Sequence, residues 1–113
     1  MADTLGTFEQ AVLLALAKPK TDLGKESYGR SILKEVALRL EREVSAGAVY
    51  ATLARSEQKG LISSETRAGD AKRGGLERRY YSIEAEGIRA LNNAKEVMDR
   101  VWSGVQWPLK VKA

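Results

Sequence analysis

The 113-residue chain contains no cysteine and no histidine. Without cysteine there is neither a disulfide framework nor a thiolate metal site. Without histidine the commonest general base, the usual catalytic triads and imidazole-bound zinc sites are excluded as well. Carboxylate and lysine chemistry remain, yet no acidic pair stands apart from charges that decorate helices. The expectation is a protein that is not an enzyme and needs neither metal nor cofactor. Long apolar runs are also missing: the longest, Ala11–Ala17, falls far short of the ~20 residues of a membrane-spanning helix. Asp3 stands where a targeting leader would be basic, so the expected location is the cytoplasm. No internal repeat, low-complexity tract or interdomain linker is visible.

What is present is ordinary in amount and uneven in placement. A hydrophobic content of 43% with 30% charged residues suits one small soluble domain with a modest core. The formal net charge is +4, mildly basic, so the distribution carries more information than the sum. Between Arg67 and Arg79, five basic residues (Arg67, Lys72, Arg73, Arg78, Arg79) stand against two acidic ones (Asp70, Glu77) and flank glycines. Lys110 and Lys112 form a second basic cluster near the end.

Periodicity divides the chain into helices and one hairpin. Thr7-Phe8-Glu9-Gln10 has the spacing of a capping box in which Thr7 and Gln10 satisfy free N–H groups. A helix over about Phe8 to Ala17 follows, with Phe8, Val12, Leu13 and Leu16 inward, stopped near Pro19. Ser27 is placed to cap a second helix carrying Tyr28, Ile32, Val36 and Leu40 on one face, widened by Leu33 and Ala37. Val44 reads as a one-residue strand. Ser45 then caps a third helix, with Val49, Leu53 and Ser56 inward and Gly60 at its left-handed stop. Leu61–Thr66 and Arg78–Ile83 read as antiparallel strands joined by an Ala68–Gly75 tip. A last helix is expected from about Glu84 to Gln106, roughly 30 Å long, striped by Ile88, Leu91, Met98, Val101, Trp102 and Val105. So long a helix on so small a domain needs a second chain to cover part of that stripe. Residues from Pro108 onward should fray.

Helix, glycine stop, strand, basic tip and returning strand follow one another from Val44 to Ile83 with almost no spacer. That is the layout of a winged helix-turn-helix, which places one helix in the DNA major groove and a basic hairpin beside it. The fold class is therefore mainly α with a small β-hairpin. Residues 1–83 form the winged DNA-binding unit, and residues 84–113 the dimerisation helix and tail.

The ordered residues also carry a family resemblance. Leu5-Gly6, Phe8-Glu9 and Val12-Leu13-Leu14-Ala15-Leu16 come first, then Tyr28-Gly29, then Glu43-Val44-Ser45 with Gly47, Val49-Tyr50, Leu53 and Arg55. Glu57, Lys59-Gly60-Leu61-Ile62, Arg73-Gly74-Gly75, Arg79-Tyr80-Tyr81, Gly87 and Ala90-Leu91 complete a set that spans most of the chain. The sequence resembles the PadR family of bacterial transcriptional regulators, in the short form with a single C-terminal helix. Three features depart from that pattern. Ser56 stands where the family usually has leucine, so a hydroxyl falls on the buried stripe. Leu76-Glu77 makes the wing less basic than is common. Glu84 replaces the usual threonine cap of the last helix, although an acidic group still favours a helix start.

For DNA the candidate residues are Ser45, Gly47, Tyr50, Arg55, Lys72, Arg73, Arg78 and Arg79. The small residues Ser45 to Ala48 allow either close helix packing or a bare helix start deep in the groove, with N–H groups toward phosphate. Tyr50 could reach DNA or pack against the second helix. Arg55 is a phosphate contact or a solvated helix charge. Arg78 belongs with the basic hairpin, and Arg79 either contacts DNA or braces the sheet. A tip of Arg-Gly-Gly lets the backbone approach a duplex, and arginine suits a narrow minor groove. Met98, Val101, Trp102 and Val105 are the candidate dimer interface. The resemblance implies a homodimer formed through the last helix and the first. In the multidrug-binding LmrR-type members it also implies a tryptophan that stacks flat ligands at the dimer centre, a position Trp102 approximately matches. The expected partners are double-stranded operator DNA, a second copy of the chain and a small hydrophobic or aromatic effector, with phenolic acids and hydrophobic drugs suggested by the resemblance. The reading is a ligand-responsive repressor. The alternative is a winged-helix module that binds protein without sequence-specific DNA binding, consistent with the modest charge, Leu76-Glu77 and Ser56.

Overall fold

In a computed structural model, which describes residues 5–18, 20, 27–69, 74 and 77–112, four helices pack with a two-stranded antiparallel hairpin. The order is α1 (Thr7–Ala17), α2 (Gly29–Leu40), α3 (Ala46–Gln58), β1 (Ile62–Arg67), β2 (Arg78–Ile83) and α4 (Ala85–Val101). The most apolar helix, α1, is the centrepiece and touches α2, α3, α4 and β2. Val12 and Leu13 meet Ile32, Val36, Val49, Leu53, Ile62 and Ala94 in one core, with Phe8, Leu16, Leu33 and Leu40 packed at its margin.

Two of the three expected caps move. α1 begins one residue early, on Gly6, because buried Leu5 fixes the entering chain. Glu9 Oε1 accepts from the Gly6 N–H at 3.5 Å, and Gln10 Nε2 donates to the Leu5 carbonyl at 2.9 Å. Glu9 and Gln10 thus serve the start, whereas Thr7 is already helical. α2 is capped at Tyr28 rather than Ser27. Ser31 Oγ reaches back to accept from the Tyr28 N–H at 3.1 Å and donate to the Tyr28 carbonyl at 2.9 Å.

Ser27 is unavailable for capping because its backbone belongs to the sheet. The Tyr81 N–H donates to the Ser27 carbonyl at 2.7 Å, and Tyr28 bridges Tyr80 in antiparallel fashion. This bridge takes the place of the single-residue strand expected at Val44, which is not a strand in the structure. The hairpin is therefore fastened to the start of α2, not to the α2–α3 turn. That turn is made instead by Glu41, in the left-handed conformation at φ 52°.

Three polar contacts organise the exit from α1. Glu35 on α2 is 1% exposed. Its Oε2 accepts from the Lys20 N–H at 3.0 Å and lies 4.0 Å from Arg39 Nε. Arg39 Nη2 donates to the Lys18 carbonyl.

α3 follows its expected course. Ser45 Oγ accepts from the Ala48 N–H at 3.1 Å, Val49, Leu53 and Ser56 are fully buried, and Gly60 takes φ 77° after the helix. The hairpin register runs from Ile62 opposite Ile83 to Arg67 opposite Arg78. α4 is shorter than expected. It stops at Val101 instead of Gln106, the chain turns through Gly104 at φ 80°, and the Val105 N–H returns to the Trp102 carbonyl at 2.9 Å. Glycine at that step costs nothing in the left-handed region, so the apolar spacing that runs on to Val105 does not hold the helix together. Only Gly87 and Ala94 of α4 are fully buried. A Cβ on Gly87 would lie 2.3 Å from the Leu61 carbonyl oxygen, so this crossing requires glycine.

Candidate nucleic-acid interface

The start of α2, the exposed side of α3 and the outer face of β2 converge on an open cleft of ≈ 320 Å³. Tyr28, Arg30, Tyr50, Arg78, Arg79 and Tyr81 line most of it, and Glu77 is the one acidic residue in the lining. α2 begins at the cleft, with Ser31 Oγ taking the Tyr28 N–H, and the positive end of its helix dipole adds to three guanidinium groups. This arrangement can hold an anion, and a phosphodiester backbone running between a helix and a hairpin is one of suitable size.

Tyr50, Arg79 and Arg78 each have a structural reason for their place. Tyr50 follows buried Val49 on α3 and is about half exposed. A Cβ at Gly29 would lie 2.0 Å from the Tyr50 hydroxyl, so the missing side chain at Gly29 creates Tyr50's seat. Tyr50 thus packs on α2, as one of its two expected readings had it, and still lines the cleft. Arg79 Nη1 donates to Ser64 Oγ at 3.2 Å, and Ser64 Oγ donates to Glu57 Oε2 at 2.8 Å. This relay braces β2 against β1 and α3 while leaving Arg79 exposed. Burial pushes the Tyr81 phenol above its usual 10.0; Arg79 opposes the shift, while Glu57 and Tyr50 add to it. Arg78 lays its guanidinium over the Tyr28 ring, 4.0 Å from the centroid.

The cleft brings together Tyr50, Arg78 and Arg79 of the expected DNA residues. Ser45 and Gly47 sit at the exposed start of α3, outside the cleft. Arg55 is exposed farther along α3, where Nη2 donates to Thr52 Oγ1 at 3.1 Å. Lys72 and Arg73 lie outside the described residues, as does most of the expected Ala68–Gly75 tip. Sequence reasoning missed Arg30 as a cleft residue. The available signal was its position directly after Tyr28-Gly29, on the polar side of an amphipathic first turn.

At the far end, Met98, Val101, Trp102 and Val105 are all exposed, between 40% and 68%. They share one region, but only Met98 and Val101 lie in α4 proper, Trp102 being its cap and Val105 following the turn.

The family model described as the transcriptional regulator PadR-like family matches residues 21–93. The chain belongs to the PadR-like family of transcriptional regulators. Similar solved structures include a PadR-like transcriptional regulator from Bacillus cereus, 24% identical over 95% of both chains with a TM-score of 0.70. A PadR family transcription regulator from Clostridium difficile is 28% identical over 86% of this chain and 95% of its own, with a TM-score of 0.62. Another from Eggerthella lenta is 26% identical over 83% of this chain and 76% of its own, also at 0.62. No curated protein matches the chain. The family and these neighbours are transcriptional regulators, and the four-helix, two-strand architecture of this PadR-like chain is theirs. Among its described residues no helix is long and apolar enough to cross a membrane, and no acidic cluster could hold a metal ion.

Proposed function

We propose that this PadR-like regulator is a cytoplasmic homodimeric repressor that binds an inverted-repeat operator. In this reading residues 1–83 are the DNA-binding unit and residues 84–113 the dimerisation segment. The start of α3, with Ser45 and Gly47, enters the major groove. The hairpin lies beside it, and the DNA backbone crosses the cleft between Tyr50 and Arg79. Arg30, Arg55, Lys72, Arg73 and Arg79 neutralise phosphates, contacts that position the protein without choosing a sequence. The observation that carries the reading is the cleft itself, with three arginines and a helix start against one carboxylate.

A two-fold dimer sets two half-sites about one helical turn, or a small multiple, apart. The exposed cluster of Met98, Val101, Trp102 and Val105 supports the C-terminal part of α4 as the dimer seam. A flat aromatic effector stacked on Trp102 would induce by binding one dimer geometry better than another, since release requires differential affinity.

The test is fluorescence anisotropy on duplex from the gene's own upstream region and on a scrambled duplex, across salt. The expected result is steep salt dependence with at least roughly thousand-fold preference for the native segment. Absence of binding to either duplex at low salt would favour the protein-interaction module instead.

A further inference from the structure

The two arginines at the last rung of the hairpin are occupied by tyrosines. Arg67 and Arg78 face each other in the register, where like charges destabilise a sheet. Each guanidinium is instead stacked on a ring: Arg67 lies 4.1 Å from the centroid of Tyr80, and Arg78 lies 4.0 Å from that of Tyr28. The two rings meet edge to face, with centroids 5.8 Å apart at 71°. The result is a continuous column, Arg67–Tyr80–Tyr28–Arg78, that joins both strands to the cap of α2. Tyr80 is 7% exposed, so the column is anchored in the protein body. Glu65 Oε1 adds an ion pair to Arg67 at 2.7 Å. A guanidinium over an aromatic face is favourable, and more so as water is excluded.

We propose that this column is a positioning device for DNA binding: Tyr28, Tyr80, Arg67 and Arg78 fix the direction in which the hairpin leaves the body, and so aim its tip at the duplex. Arg78 acts through Tyr28 and not chiefly as a phosphate contact. The inference rests on the DNA-binding reading for its use, while the column itself is independent of that reading. A two-stranded hairpin is marginal without support. The backbone attachments at Ser27 and Tyr28 hold β2 at its middle, on Tyr81 and Tyr80, whereas the stacked arginines stand where the strands end.

The test uses the full-length protein with Tyr28→Leu, which changes no charge, and Tyr28→Phe, which keeps the ring but loses the hydroxyl. Amide hydrogen exchange reads the column directly. Tyr28→Leu should speed exchange in the hairpin relative to the core of α1, and Tyr28→Phe should not. Unchanged hairpin exchange in Tyr28→Leu overturns the proposal whether or not the protein binds DNA. Anisotropy on labelled duplex from the upstream region then reads its use in a double-mutant cycle with Arg73→Ala. Arg73→Ala should weaken wild-type binding about three- to ten-fold and have little further effect once Tyr28 is leucine. The charge-neutral Tyr28→Leu should itself lower the salt slope, and Tyr28→Phe should restore both properties. Additive losses, or a phenylalanine variant that behaves like leucine, overturn the proposal. Failure of the wild type to bind any duplex defeats the DNA-binding reading and, with it, the aiming role.

Discussion

Ser56 offers the sharpest test of how the interior is built. Its side chain is fully buried in the inner stripe of α3, between Leu53 and the start of β1. Its Oγ finds no hydrogen-bond partner among the described residues. An unpaired buried hydroxyl costs about 1–3 kcal/mol. Ser56→Ala removes that cost and gains up to about 0.5 kcal/mol of helix propensity. The void left by one oxygen, on the order of 10 Å³, returns only about 0.2 kcal/mol. The net expectation is stabilisation by about 1–3 kcal/mol. For 113 residues the unfolding entropy is roughly 0.24 kcal/mol/K, which places the rise in Tm at about 4–12 °C. Calorimetry at fixed protomer concentration measures it, with concentration held constant because association would shift Tm. Urea midpoints with an unchanged m-value give a second reading. A Tm that is unchanged or lower in the alanine variant would mean that the hydroxyl is satisfied in solution and that the interior is not paying for it.

Three further substitutions probe other parts of the design. Glu35→Ala removes the buried acceptor of the Lys20 N–H and the partner of Arg39. It should cost about 3–5 kcal/mol in urea unfolding, and a loss below about 1 kcal/mol would contradict the role given to Glu35. Gly29→Ala displaces Tyr50, whose hydroxyl would sit 2.0 Å from the new Cβ. Because the ring end can swing outward and alanine favours the helix by up to about 1 kcal/mol, stability should hardly change while DNA affinity falls in anisotropy. Tyr81→Phe should matter only in alkali. The folded phenol holds its proton above 10.0, so the unfolded chain ionises first and wild-type stability falls as pH rises from 10.0 through the folded value. Urea midpoints from about pH 9 to about pH 11 should fall less steeply in the phenylalanine variant.

Much of the fold was legible because local signals agreed. Ser45, the Val49-Leu53-Ser56 stripe and Gly60 define α3 without help from the rest of the molecule, and the alternation in Arg78–Ile83 gives β2 to the residue. Ser27 failed as a cap because its carbonyl is claimed by Tyr81, a partner far away in sequence. The same attachment moved the expected bridge from Val44 to Tyr28. Periodicity overran the end of α4 because Val105 continues the apolar spacing, and only the backbone conformation at Gly104 stops the helix. The cleft was half legible. Tyr50, Arg78 and Arg79 stood out by residue type, whereas Arg30 and the seat that Gly29 provides depend on two helices crossing.

The uneven use of arginine in the hairpin sets a quantitative limit on how this regulator should respond to salt. Counting every base between Arg67 and Arg79 as a phosphate contact treats them alike, yet Arg67 and Arg78 are stacked on rings. If Arg30, Arg55, Lys72, Arg73 and Arg79 each neutralise one phosphate, a dimer covers about ten, for a slope of log K against log salt near −9. Adding Arg67 and Arg78 from both protomers would steepen it to about −13. A slope near −9 is still the steep dependence expected of DNA binding, and its shortfall from −13 follows from the aromatic column. A slope near −13 would place both stacked arginines on phosphates and dissolve the distinction between residues that touch the duplex and residues that aim the ones that do.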